Sequence, residues 1–285
     1  MFKRISVQQD LQPGRGKSVK AFELDTNYHD TGGDGPPVLL LHGSGPGVSA
    51  WTNWKRVMPA LATDFRVIAP DMAGFGYTER NPDLHYDIKL WVKHLIGILD
   101  ALGLDKVSLV GNSFGGSLAL AAAARFGDRF ERLVLMGTPC DKFVMTPGLR
   151  AGWYYTPSPE TMRETMAHFP YDPSFITDEL VEDRYRASLI PGAQEGLRKL
   201  LIQPNEEGDT PLSGMPESVV ASIGHPTLVL HGREDRVIPV EMGLRLGRAM
   251  PNAQFHMFGK CGHWVQAERF DDFIALTRRH LERRA

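Results

Sequence analysis

Gly111-Asn112-Ser113-Phe114-Gly115 interrupts two apolar patterns of different period. Before it, Val107, Leu109 and Val110 read as a buried strand; after it, Gly116 to Ala124 is a run of small and apolar residues that reads as a buried helix. Strand, Gly-x-Ser-x-Gly and helix together make a sharp turn that lifts the serine side chain out of the fold. Gly111 and Gly115 fit that turn because a neighbouring backbone can approach where no Cβ stands. Ser113 is therefore the candidate nucleophile.

A serine hydroxyl is a weak nucleophile at neutral pH. It needs an imidazole to take its proton and a carboxylate to orient the imidazole. Both occur downstream. Pro226-Thr227-Leu228-Val229-Leu230-His231-Gly232 reads as a buried strand, and two acids, Glu234 and Asp235, follow its end. Gly262-His263-Trp264 precedes the last helical pattern. Serine, then acid, then histidine is one of the known chain orders for this chemistry, and neither major serine protease has it.

At 285 residues the chain can bury one large core, or a core with a small insert. The formal net charge is −2, with Lys and Arg spread throughout, so no nucleic-acid groove or basic membrane face is expected. No apolar run reaches transmembrane length, and Met1 to Asp10 lacks the apolar stretch of a signal peptide. The two cysteines, Cys140 and Cys261, read as free thiols of a cytoplasmic protein. Cys261 falls near His263 and reads as filler, since Ser113 already occupies the turn. Neither zinc-type Cys/His spacing nor a Walker A motif occurs, so neither a metal nor an organic cofactor is expected.

Strand and helix patterns alternate along the chain. Strands are expected at Val19–Leu24 and Thr26–Asp30 as an antiparallel pair, then at Val38–Leu41, Arg66–Ala69, Lys106–Val110, Arg132–Met136, Thr227–Leu230 and Gln254–Phe258. Helices are expected at Trp51–Ala62, Asp87–Leu102, Val240–Met250 and from Val265 to Leu281. On Asp87–Leu102 the apolar face is Ile88, Trp91, Val92, Leu95, Leu99 and Leu102, which puts His94 on the solvated side. This is an α/β class chain with a mostly parallel sheet covered by helices. The pattern breaks after Met136. Amphipathic stretches at Glu160–Phe169, Asp178–Ser188 and Ala193–Leu200 carry no core strand. Residues 139–216 are therefore expected to form an inserted helical lid, with 1–138 and 217–285 as the core domain.

His42-Gly43-Ser44-Gly45-Pro46-Gly47 follows a strand, but Val48 stands where a dinucleotide fingerprint needs glycine. The loop reads instead as an oxyanion loop, since acyl transfer places negative charge on a carbonyl oxygen that fixed N–H donors stabilise. The donors expected are the backbone N–H of Phe114, directly after the nucleophile, and that of Ser44.

The stretch His42 to Trp54 (HGSGPGVSAWTNW) resembles the signature of the meta-cleavage-product hydrolases, carbon–carbon bond hydrolases of the α/β-hydrolase superfamily. Asp71-Met72-Ala73-Gly74-Phe75-Gly76-Tyr77-Thr78, Gly111 to Gly116, Asp178 to Tyr185 and Cys261 to Gln266 fit the same pattern. The resemblance runs from about Val38 to Leu281, and the loop Thr138 to Gly152 departs from it. It implies the α/β-hydrolase fold, selects Asp235 over Glu234 as the acid, and implies a homo-oligomer without cofactor. The implied substrate is a 2-hydroxy-6-oxohexa-2,4-dienoate, cleaved at C5–C6 after enol-to-keto tautomerisation. Arg184 is then expected to hold the dienoate carboxylate, Asn53 and Asn112 to hydrogen-bond that polar end, and Trp264 to pack beside His263. His263 would serve the proton transfers and Ser113 the attack on the C6 ketone; an acyl-enzyme and an activated water would use the same residues. A carboxylesterase with the same triad is the alternative enzyme. A slow-turnover ligand-binding protein on the same scaffold is the alternative outside catalysis. His42 and His231 read as structural, Asp71 as a loop anchor, and Trp153, Tyr154 and Tyr155 as either pocket lining or lid core.

Overall fold

The computed structural model describes residues 14–193 and 211–282. Eight strands form one sheet: β1 (Lys17–Ala21), β2 (Leu24–Asp30), β3 (Pro37–Leu41), β4 (Arg66–Pro70), β5 (Val107–Asn112), β6 (Phe130–Met136) and, nearer the C-terminus, β9 (Thr227–Gly232) and β10 (Ala253–Phe258). The strand order is β1-β2-β4-β3-β5-β6-β9-β10. β1 and β2 pair antiparallel with each other, and β2 pairs antiparallel with β4. Every pairing from β4 to β10 is parallel. The expected alternation and the mostly parallel sheet are present.

The central strands read as unbroken apolar runs because both of their faces are covered. Leu39, Leu41, Leu109, Leu133 and Leu135 point into one core with the helices α3 (Ile88–Ala101) and α4 (Phe114–Arg125). Val38, Leu40, Val110, Val134 and Met136 point into the other, against Trp54, Met58, Leu61 and Phe273. The period of two along each strand splits its side chains between two hydrophobic layers. Truncating a fully buried member such as Leu40 costs about 2–5 kcal/mol.

Among the described residues between β6 and β9 lie the helices α5 (Pro147–Trp153), α6 (Pro159–Met166) and α7 (Asp178–Ser188), a single helical turn at Glu217–Val220, and a small ribbon of β7 (Lys142–Val144) with β8 (Pro211–Ser213) outside the main sheet. α5, α6 and α7 each start on a side-chain cap: Thr146, Ser158 and Thr177 accept from the N–H three residues on. The expected stretch Ala193–Leu200 lies outside the described residues apart from Ala193.

Three expectations differ in detail. Trp51–Ala62 forms two short helices, α1 (Ala50–Trp54) and α2 (Val57–Leu61), and the C-terminal pattern divides into Val265–Glu268 and Phe270–Glu282. His94 is a correction. It is fully buried, its Nε2 pairs with the Thr26 hydroxyl at 2.8 Å, and its Nδ1 accepts from the Ala73 N–H at 3.2 Å. β1 and β2 pack over that side of α3, so the flank of the helix beside its apolar stripe is buried as well.

Candidate active site

β5 delivers Asn112 and Ser113 to the carboxyl edge of the sheet, where α4 starts at once. Ser113 has φ 54° and ψ −112°, a strained conformation held by its N–H bond to the Met136 carbonyl at 2.7 Å. Gly115 makes the turn possible: a Cβ there would collide with the Leu41 and His42 carbonyl oxygens. The loop after β3 thereby comes close to the turn after β5.

β9 ends at Gly232, and its following turn carries both candidate acids. The Asp235 side chain is fully buried, and its Oδ2 lies 2.7 Å from His263 Nδ1. Glu234 turns away, pairs with Arg233 and accepts the Cys261 N–H at 3.1 Å. The other oxygen of Asp235 accepts the Val237 and Ile238 N–H groups at 2.8 and 2.9 Å. Burial opposes charge on Asp235, but the attraction of His263 and hydrogen bonds from His231 and His263 outweigh it and hold the carboxyl below its ordinary range. Asp235 therefore stays anionic and orients His263 with Nε2 towards the cavity.

His231 takes part in this arrangement. Its Nε2 lies 3.0 Å from the Ile238 carbonyl and 3.3 Å from Asp235 Oδ2. Both neighbours are acceptors, so Nε2 carries the proton.

One small cavity is lined by Ser113, His263, Ser44, Asn53, Asn112, Arg184 and Trp264. They come from five stretches of the chain, Asn112 with Ser113 and His263 with Trp264 being neighbours in sequence, and all were expected at the site. Phe114 starts α4 beside them. Among the described residues, neither the Ser44 nor the Phe114 N–H has a hydrogen-bond acceptor.

The polar end of this cavity is unusual. Arg184, on α7, is buried with 8% exposure and has no carboxylate within ion-pair distance among the described residues. Its Nη1 reaches only the Pro46 carbonyl, at 3.4 Å, and its guanidinium lies 5.6 Å from the Trp264 ring centre. Burial lowers its pKa to about 10, still far above neutrality. Arg184 Nε, Asn53 Nδ2 and Asn112 Nδ2 have no partner, so three donors on three elements converge on one space. A buried cation beside orphaned donors is costly unless an anion fills that space.

His42 acts as a brace. Its Nδ1 donates to the Gly43 carbonyl at 2.7 Å and its Nε2 accepts the Met72 N–H at 3.0 Å. Burial, with the Arg184 charge adding to it, lowers its pKa to about 4, so it is neutral. Asp71 anchors its loop through Asn27, Ala50 and Tyr77. Cys261 is buried in the second core layer, where burial pushes its thiol up. Tyr155 joins the apolar cluster of Met162, Met166 and Trp264, Trp153 packs against that of Leu149 and Val237, and Tyr154 is exposed.

Four residues of this neighbourhood were not expected from the sequence. Phe169 stacks on Trp264, meets the His263 ring edge-on, and accepts the His263 N–H through its carbonyl at 2.7 Å. Arg236 holds the Ala167 and Pro170 carbonyls, and Glu268 accepts N–H groups from Tyr171, Gly262 and Trp264. His231 is the fourth. The position of Arg236 beside Asp235 is the one local signal; the other contacts are long-range bonds to main chain. Among the described residues no cluster of three or more His, Cys, Asp or Glu could hold a metal ion, and no helix is long and apolar enough to cross a membrane.

Comparison with known proteins bears on this geometry. Residues 38–276 match the model of the alpha/beta hydrolase family. The chain is 52% identical over 262 residues to the 2-hydroxy-6-oxo-2,4-heptadienoate hydrolase of Pseudomonas putida F1, covering 92% of this chain and 94% of that protein. It is 46% identical over 265 residues to the 2-hydroxymuconate semialdehyde hydrolase of Pseudomonas sp. CF600, covering 93% of each. A solved meta-cleavage product hydrolase from Pseudomonas fluorescens IP01, a mutant complexed with acetates, superposes with a TM-score of 0.89 at 47% identity over 95% of this chain and 98% of that one. The chain therefore belongs to the α/β-hydrolase family and, within it, to the meta-cleavage product hydrolases.

Proposed function

We infer that this chain hydrolyses the C5–C6 bond of 2-hydroxy-6-oxohexa-2,4-dienoates, giving 2-hydroxypenta-2,4-dienoate and a carboxylic acid. The observation that carries the reading is Arg184: a buried guanidinium without an internal counter-ion, in the cavity that also holds Ser113 and His263. A substrate with a carboxylate at one end and a ketone at the other fits between them.

Asn53 and Asn112 hydrogen-bond the carboxylate and enol end, and Trp264 covers it. His263, oriented by Asp235, moves the enol proton towards C5, which turns the C5 fragment into a stabilised leaving group. Ser113 attacks the C6 ketone with His263 taking its proton, and the Ser44 and Phe114 N–H groups receive the oxyanion. The C5–C6 bond breaks and its electron pair passes through the C5 fragment to the C2 oxygen, which takes the proton held by His263; water then cleaves the Ser113–C6 bond, giving the acid its hydroxyl and Ser113 its proton. Residues 139–216 act as a lid over the 1–138 and 217–285 core. The enzyme works in the cytoplasm as a homo-oligomer without cofactor.

The test is the bleaching of yellow dienoates carrying hydrogen, methyl, isopropyl or phenyl at C6, with a neutral nitrophenyl ester as control. Fast bleaching, far above the ester rate, is expected. Ester turnover without bleaching would mean a carboxylesterase, and slow turnover of both would mean a ligand-binding protein.

A further inference from the structure

The nucleophile's cavity does not end at Arg184. Beyond Arg184, Asn53 and Trp264, which line both spaces, lies a second chamber of about 380 Å³. Its walls come from three parts of the chain: the α1–α2 segment, the stretch from Ser174 to Leu180 before and within α7, and the start of the helix Val265–Glu268. Exposure is graded across it. Arg56, Ser174, Thr177 and Glu179 are exposed, whereas Val57, Arg184, Trp264 and Gln266 are buried. The chamber is thus a funnel that runs from solvent to the guanidinium. Its buried end holds polar atoms without partners: Arg184 Nε, Asn53 Nδ2 and Gln266 Oε1.

The charge in the funnel has a direction. Lys55 is paired with Asp183 at 3.5 Å. Arg56 has no carboxylate within ion-pair distance among the described residues, and its guanidinium lies 4.7 Å from the Phe270 ring centre. Glu179 is the one carboxylate among the lining residues, against Lys55, Arg56 and Arg184. A chain of net charge −2 repels an anion as a whole, while a funnel with an excess of positive charge draws it in locally.

We propose that this chamber is the portal through which the dienoate carboxylate passes from Arg56 at the rim to Arg184 at the floor. The proposal rests on the dienoate reading above. Its chemistry is that of a small organic carboxylate: one cation attracts it at the mouth, and a second, desolvated cation receives it inside. Arg56 sets how fast the anion arrives and has no part in bond cleavage.

Arg56→Gln and Arg56→Glu are the test, with kcat and kcat/KM on the C6-methyl dienoate followed across sodium chloride concentrations. At low salt, kcat/KM is expected to fall about threefold for Gln and about tenfold or more for Glu, with kcat retained. The salt dependence flattens for Gln and reverses for Glu, and the neutral ester is turned over at the parent rate by both. Ser174→Trp, an exposed substitution that narrows the mouth and leaves the Thr177 cap of α7 intact, is expected to lower kcat/KM severalfold without changing kcat. Parent kinetics and parent salt dependence in Arg56→Glu would overturn the proposal. So would the same losses arising instead from Arg80→Gln, in the crevice on the other side of Pro46 and Val48. Failure of the unsubstituted enzyme to bleach any dienoate would be a failure of the substrate reading, and the two results are separable.

Discussion

Gly47 packs its bare α-carbon against the carbonyl oxygen of Arg184, so closely that no Cβ fits between them. Its φ of 65° adds a second reason for glycine. The loop after β3 and the helix α7 therefore set each other's position. Gly47→Ala is expected to push α7 outward and to withdraw Arg184 from the cavity. A KM for dienoates raised at least tenfold, with a stability loss of about 2 kcal/mol, is the expected outcome in kinetics and urea denaturation. An unchanged KM at parent stability would contradict it.

Removing the guanidinium itself isolates the carboxylate contact. For Arg184→Gln, kcat/KM on dienoates should fall roughly 100-fold, from the ~3 kcal/mol of a charge-assisted hydrogen bond. Turnover of a neutral nitrophenyl ester should change little. Equal losses on both substrates would show that Arg184 supports the fold and does not grip the substrate.

Ser113→Ala should abolish dienoate bleaching and keep dienoate binding, read as a shift of the ligand's absorbance on titration. The hydroxyl is lost, while Arg184, Asn53 and Asn112 remain. Turnover near the parent rate by this variant would remove Ser113 from the mechanism.

Acid should weaken the fold. His42 and His94 have pKa values lowered from 6.5 to about 4, both chiefly by burial. The folded state keeps them neutral, the unfolded chain protonates them, and stability is lost as pH falls from 6.5 through about 4. Asp71 runs the other way. Burial raises its pKa from 3.8 to about 6, so its contribution is gained over nearly the same descent. Two histidines against one carboxyl leave a net loss on the order of 3 kcal/mol. Urea midpoints at pH 6.5 and pH 4 measure it, and equal midpoints would mean that these groups are already accessible to protons in the folded state.

The serine turn was readable because its whole logic is local: strand, small residues, helix, all within one stretch of chain. The resemblance added Arg184, Asn53 and Asn112, and the structure lines one cavity with all three. Sequence did less well where partners come from far away. His94 sits on the flank of an apolar stripe, and the packing of β1 and β2 over α3 explains its burial. Ile88, counted on that stripe, is 40% exposed. Glu234 and Asp235 are neighbours with the same charge, and turn geometry alone separates their partners. Glu268 and Phe169 act on main-chain groups, which leave no residue-type signal in a sequence.

The contacts of residues 167–171 have a consequence for descent and for engineering. The carbonyl of Phe169 holds the main chain of His263, while Arg236 and Glu268 clasp the residues on either side. The insert is thus sutured to the catalytic histidine along this segment, which supplies part of the histidine's own scaffold. Lineages that remodel the rest of the insert must keep this seam or replace it together with its partners. A chimera that takes its insert from a relative and keeps the host's residues 167–171 inherits a working histidine; one that replaces them must import the matching arginine and glutamate as well.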